Sequence, residues 1–192
     1  MKKQKGIKRM KQTRKALAAL FISTLTILPT GLSIAATQGT LGSTSTGTAN
    51  VTLTIPSLYR ISGLTDLSLG TYSGSGTMTA NEDVCVYSNV NGTYRVNITG
   101  NSTLSPAAFA VQNAGNTAYI PMAVKWNGVI GTTGNAAITY NVPLAATGAN
   151  QTTTDCSTGG LSADLQVSLL QSDLLKAPAS VYSSILTILI EP

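Results

Sequence analysis

Between Ala49 and Ile55 the chain reads Ala-Asn-Val-Thr-Leu-Thr-Ile, apolar and polar residues alternating without a break until Pro56. A strand turns successive side chains to opposite faces, so Ala49, Val51, Leu53 and Ile55 share one face and Asn50, Thr52 and Thr54 the other. A strand this regular needs a sheet to pair with, and the residues after Pro56 offer no obvious hairpin turn back onto it. The pattern predicts that its partner is another copy of the same protein.

Short strand candidates follow, punctuated by turn residues. Leu58 to Ile61 and Leu64 to Leu69 are parted by Gly63, Val84 to Tyr87 carries Cys85, and Thr93 to Thr99 alternates Tyr94, Val96 and Ile98 with polar neighbours. Asn91-Gly92 between the last two accepts the positive φ of a tight primed turn and predicts a hairpin. Tyr119 to Trp126 puts Ile120, Met122, Val124 and Trp126 on one face; Pro121 predicts an edge or a bulge there, and Asn127-Gly128 ends the run. Ile138 to Leu144 alternates Ile138, Tyr140, Val142 and Leu144, and Leu161 to Leu169 alternates through Leu165 and Val167. About seven or eight short strands at such spacing predict an all-β fold, an antiparallel β-sandwich of immunoglobulin-like type.

Tyr182 to Ile190 is the most hydrophobic segment after the N-terminal region, with Tyr182, Leu186, Ile188 and Ile190 on one face and Ile185 and Leu189 on the other. Two apolar faces predict a strand inside a sheet, yet only Glu191 and Pro192 follow. An uncovered apolar edge is a template for pairing with another chain. A surplus strand at the front and a deficit at the back are together resolved by head-to-tail strand donation.

The first residues read as an export signal. Lys2, Lys3, Lys5, Lys8, Arg9, Lys11, Arg14 and Lys15 form a basic region, Ala16 to Leu28 an apolar core, and small residues follow Pro29 and Gly31, predicting cleavage after Ala35 or Ala36. A membrane anchor fits less well, because Ser23, Thr24, Thr26, Pro29 and Thr30 interrupt an apolar run shorter than the roughly 20 residues of a span. Residues 1–35 are thus expected to be a signal peptide and 36–48 a flexible leader. Within that leader Thr37 to Thr48 is Thr, Ser and Gly around a single large apolar residue, Leu41, too little to bury. Residues 49–56 are the strand to be donated and 57–192 the domain.

Removing the signal inverts the charge. Of the 12 Lys and Arg residues only Arg60, Arg95, Lys125 and Lys176 remain, against seven carboxylates, a net charge of −3. No basic stripe is left for a nucleic acid, and none is expected as a partner. Cys85 and Cys156, far apart in an exported chain, default to an intradomain disulfide. Free thiols or a metal pair are the alternatives, but with no His and no CxxC spacing a metal lacks its usual ligands, and no metal or cofactor is expected.

These residues resemble those of a structural subunit of a chaperone-usher pilus, of the alternate and archaic branches that include colonization-factor major pilins and spore-coat-U-like pilins. The resemblance rests on Ala49-Asn-Val-Thr-Leu-Thr-Ile-Pro56, Ser57-Leu-Tyr-Arg-Ile61, Ile120-Pro-Met-Ala-Val-Lys-Trp126 with the Gly128 turn, and Tyr182-Ser-Ser-Ile-Leu-Thr-Ile-Leu-Ile190. Spore-coat-U-like pilins tend to carry a cysteine just after the first strand, where this chain has Leu58 and Tyr59. The resemblance implies an incomplete immunoglobulin-like sandwich completed by donor-strand exchange. A periplasmic chaperone fills the gap first, and at the outer-membrane usher the next subunit's N-terminal strand replaces it, building a homopolymeric cell-surface fimbria for adhesion to host or abiotic surfaces or for biofilm formation. Ala49, Val51, Leu53 and Ile55 then match the donor side chains, and Tyr182, Leu186, Ile188 and Ile190 the acceptor groove and chaperone-pairing edge.

Other readings use the same residues. A self-contained secreted β-sandwich binding module, or a minor tip adhesin, would be monomeric and stable without a chaperone. An outer-membrane β-barrel is disfavoured by the Glu191-Pro192 end and by the lack of aromatic girdles. Five Asn-x-Thr sequons, at Asn50, Asn91, Asn97, Asn101 and Asn150, read as incidental in so Asn-rich and Thr-rich a chain. Trp126 reads as a core residue before a sugar platform. Without His, and with its cysteines bridged, the chain lacks the common general base and thiolate nucleophile, and no enzymatic activity is expected.

Overall fold

The computed structural model describes residues 35–105 and 108–192. The expected signal peptide lies outside the described residues except for Ala35. Two units are distinguished, one ending at Thr54 and the other spanning Ile55–Pro192. In the first, Thr37 and Thr48 exchange two backbone hydrogen bonds of 3.0 Å, and their hydroxyls meet at 2.6 Å, closing the leader into a loop. Every residue from 35 to 54 is exposed, and Ala49 to Thr54 belongs to no strand.

The second unit contains β1 (Tyr59–Ser62), β2 (Met78–Ser88), β3 (Tyr94–Gly100), β4 (Ala110–Asn113), β5 (Tyr119–Pro121), β6 (Ala123–Asn127), β7 (Ala136–Ala137), β8 (Leu144–Ala146), β9 (Ala163–Leu169), the single turn α1 (Gln171–Leu174), β10 (Tyr182–Ser183) and β11 (Leu186–Glu191). Every paired strand is antiparallel to its neighbour. One sheet has the order β1-β2-β9-β6-β7, a second β11-β3-β8, and a small third β10-β4-β5.

Chain order gives this arrangement its meaning. A constant-type immunoglobulin domain has strands A-B-E-D in one sheet and C-F-G in the other. Here β1, β2, β9 and β6 occupy the A, B, E and D places, and β3 and β11 those of C and F. Beside β11, where G stands in a complete domain, the described residues place no strand. The fold is an incomplete immunoglobulin-like antiparallel sandwich.

Alternation explains the core. Tyr94, Val96 and Ile98 of β3 face Val84 and Val86 of β2, Val124 and Trp126 of β6, and Leu165, Val167 and Leu169 of β9 across the sandwich, all buried. The Trp126 indole N–H donates to the Tyr94 hydroxyl at 3.0 Å, so the largest core side chain leaves no polar atom unpaired. Asp164 is fully buried, its carboxylate accepting from Asn135 at 2.7 Å and Asn81 at 3.3 Å.

Several sequence expectations are corrected where the chain changes sheets. Asn91 and Gly92 adopt the expected positive φ, 50° and 68°, but β2 and β3 do not form a hairpin. Both edges of β2 are already taken where it enters the turn, one by β1 and the other, past the end of β9, by Ser162 and Asn150, so the turn hands the chain to the opposite sheet. Leu64 to Leu69 is no strand: Gly63 and Gly70, with φ of 78° and 74°, bracket a segment held to β2 by Glu82, which accepts from the Thr65 N–H and hydroxyl. Ile138 to Leu144 is likewise broken. Ile138 bonds Val124 in the first sheet, Asn141 turns at φ 54°, and β8 resumes beside β3 in the second. The Tyr119 to Trp126 run divides at Met122, and Pro121 ends an edge strand. Tyr182 to Ile190 divides at Ser184-Ile185, and β11 lies at a sheet edge, with Ile185 and Leu189 exposed instead of inside a sheet.

Candidate functional site

Because the G place beside β11 holds no strand, the sandwich opens along that edge into a cleft of about 650 Å3. One wall is Leu64 to Gly70, the other Tyr182 to Leu186 with Ile188, and the floor is made by Val111, Met122, Leu165 and Val167. The floor residues are buried core residues, so the cleft reaches the hydrophobic centre of the domain. Its walls are half finished: Leu67, Leu69, Tyr182, Leu186 and Ile188 are only partly buried although they pack against that core.

The backbone along this edge is oriented for pairing. Asn101 donates its N–H to Ile185 O at 3.1 Å, whereas Ile98 gives its carbonyl to Asn141 at 3.0 Å, on the far side of β3. In an antiparallel ladder the two kinds of pair alternate, so Ile98 and Ile188, which stand opposite one another, form a non-hydrogen-bonded pair. Ile188, and by the period of two Leu186 and Ile190, therefore point their N–H and C=O groups at the outer edge. The same three residues turn their side chains towards the core. An added strand would meet polar edge and apolar wall on the same residues.

Of the residues singled out in the sequence, Tyr182, Leu186 and Ile188 line this cleft, while Ile190 packs against the core beyond it. Ala49, Val51, Leu53 and Ile55 belong to no strand among the described residues, and Val51, Leu53 and Ile55 are 92%, 80% and 69% exposed. Cys85 and Cys156 are joined in a disulfide and buried. It fastens the loop after Asn150 to β2, where the Asn150 amide accepts from Thr152 and Thr153 and donates to Thr158 and Gly160. That sequon amide is buried and fully engaged. Trp126 lies in the core.

Sequence reasoning missed the floor, because Val111, Met122, Leu165 and Val167 come from three separate stretches and carry no shared local signal. It also missed Asn89. The side chain of Asn89 accepts from the Leu58 N–H at 2.8 Å and donates to the Pro56 carbonyl at 2.9 Å, while its own N–H donates to Leu58 O at 3.3 Å. Its amide imitates one further peptide unit of β2 and carries the β1–β2 ladder past the end of both strands.

Among the described residues, no cluster of three His, Cys, Asp or Glu side chains is placed to hold a metal ion, and no helix is long and apolar enough to cross a membrane. No family model matches the chain, and no curated protein does. Among solved structures, a chaperone–tip adhesin complex of CFA/I fimbriae biogenesis is similar to 70% of this chain at 16% identity and a TM-score of 0.46, and the chain spans 41% of the length of that one.

Proposed function

We propose that this protein is a structural, non-catalytic pilus subunit that polymerises by donor-strand complementation, the strand Ala49–Ile55 of one copy filling the cleft beside β11 in the next. Adding a strand to an open sheet edge is a general recognition mode of which pilin assembly is a known instance. The observation that carries the reading is the free edge of β11 standing over an apolar cleft that reaches the core. The donor fits in length: seven residues at about 3.3 Å each span about 23 Å, against about 20 Å for the six residues of β11. It fits in chemistry too. Val51, Leu53 and Ile55 present one exposed apolar face, and burying each such side chain contributes about 1.5–3 kcal/mol.

The rest of the assembly line belongs to the same reading. A periplasmic chaperone pairs first with the β11 edge, an outer-membrane usher exchanges it for the next subunit, and the product is a surface fimbria serving adhesion or biofilm formation. A buried disulfide suits such an export route, since bridges persist in oxidising compartments.

Charging the donor face is the direct test. Leu53→Asp brings a carboxylate to a cleft whose floor is apolar and whose wall already carries the Asp66 carboxylate, and it is expected to abolish polymers while leaving the domain folded with its disulfide intact. Size-exclusion chromatography and electron microscopy read the first outcome, circular dichroism the second. Polymers formed by Leu53→Asp as readily as by the wild type would refute the reading.

A further inference from the structure

A donor strand tethered to its own domain has a competitor to exchange between subunits, which is insertion into its own cleft. Only Pro56, Ser57 and Leu58 separate Ile55 from β1, and β1 comes within 8 Å of β11 between Cα atoms, so a reversal over those three residues would carry the donor back towards the edge of β11. Pro56 followed by Ser57 suits the corner of an ordinary type I turn. A short tether that spans its target raises the effective concentration of the self-filling reaction to about millimolar, so self-filling would outrun encounter with a second copy. Something must disfavour the reversal, and the segment that would have to reverse is the one held by Asn89.

We propose that Asn89 is a positioning residue that keeps Pro56–Leu58 extended and so commits the donor strand to a neighbouring subunit instead of its own. Its three bonds take up the Leu58 N–H, the Leu58 carbonyl and the Pro56 carbonyl. Those are the backbone groups on both sides of the turn. A reversal at Pro56-Ser57 swings Pro56 away from the end of β2 and breaks the side-chain bonds before the donor gains any contact. Asn is suited to the task because one planar amide both accepts and donates, as a peptide group does. Asp in its place accepts from Leu58 but cannot donate to Pro56.

This inference rests on the donor-strand reading, and five forms of the chain from residue 36 separate the two. At one fixed protein concentration, the wild type, Asn89→Ala, Asn89→Asp, Leu53→Asp and the double variant Leu53→Asp with Asn89→Ala are compared by light scattering for chain length and by thermal unfolding. Asn89→Ala is expected to raise the ratio of folded monomer to polymer about tenfold, the effect of losing two side-chain hydrogen bonds. Its monomer is expected to melt well above that of Leu53→Asp, because its cleft is filled from within. The double variant, with no apolar donor to insert, falls back to the melting temperature of Leu53→Asp, and Asn89→Asp lies between wild type and Asn89→Ala. Polymers from Leu53→Asp would overturn the donor-strand reading and this inference with it. If Leu53→Asp stays monomeric while Asn89→Ala polymerises like the wild type, the inference alone fails. It also fails if the Asn89→Ala monomer is no more heat-stable than Leu53→Asp, or if Asn89→Ala does not fold and Asn89→Asp gives no additional monomer.

Discussion

Tyr94 and Trp126 tie the two sheets together through a single buried hydrogen bond, and the burial of the Tyr94 hydroxyl bears on how the domain responds to base. Burial raises the Tyr94 hydroxyl above its usual value of 10.0, while the hydrogen bond from Trp126 pulls the other way. A group whose folded-state pKa is raised contributes stability that is complete below the unfolded value and is lost as pH rises through the folded one. Resistance to urea is therefore expected to hold up to about pH 10 and to fall above it. Tyr94→Phe removes the titrating group and flattens that alkaline loss. It also leaves the Trp126 indole N–H buried without a partner, at a cost of about 1–3 kcal/mol near neutral pH. Urea titrations of both proteins across this range check the pair of effects; a parallel alkaline loss in both would assign it to another group.

At the level of elements, the most consequential features are places where a side chain stands in for a strand. Ser162 does so beside β2, its hydroxyl accepting from Val86 N–H at 2.9 Å and donating to Val86 O at 2.8 Å. One residue further along the same edge, Asn150 pairs with β2 through its own backbone. The disulfide then holds this patched edge, closing a loop with a sequence separation of 71. The chain-entropy estimate for a loop of that length is roughly 4 kcal/mol. The double substitution Cys85→Ser with Cys156→Ser is expected to lower stability by about that amount, as denaturant midpoints will show. The cleft walls lie outside the linked loop, so on the donor-strand reading any chains that remain folded are expected still to accept a donor strand. A substitution that leaves stability unchanged would mean that the hydrogen bonds around Asn150 hold the loop unaided.

For the whole molecule, the question is how an open sandwich stays folded. The core spans both large sheets, with Trp126, Ile98 and the valines of β2 and β3 at its centre, and it draws no residue from Ala49 to Ile55. Deleting residues 36–56 is therefore expected to leave a domain that folds and keeps its disulfide but neither polymerises nor caps a neighbour's cleft. Circular dichroism and chromatography decide this directly, and loss of the fold would place the donor segment inside its own subunit. Restoring the missing strand as a separate peptide of residues 49–56 should raise the melting temperature of the deleted form, since a ligand that binds only the folded state stabilises it.

Alternation was legible in the chain because it is local. The strands around Val86, Val96, Val124, Val167 and Ile188 each announce which residues face the core, and the exposed apolar face at Val51, Leu53 and Ile55 was visible in the same way. Side-chain period belongs to the strand itself, whatever it pairs with. Which sheet a strand joins depends on which edges are already occupied by residues remote in sequence, and that only the tertiary structure decided. It sent β3 away from the Asn91-Gly92 turn into the opposite sheet, broke the Ile138 to Leu144 run at Asn141, and left Leu64 to Leu69 beside the cleft without a ladder. It also assembled the cleft floor from Val111, Met122, Leu165 and Val167 and brought Asn89 against Pro56 and Leu58. The sequence by itself determined that an alternating apolar segment, Ala49 to Ile55, and an apolar C-terminal strand exist; their chemistry is written along the chain. The open edge of β11 and the bonds of Asn89 to Pro56 and Leu58 arise from contacts between distant residues, which no local pattern encodes.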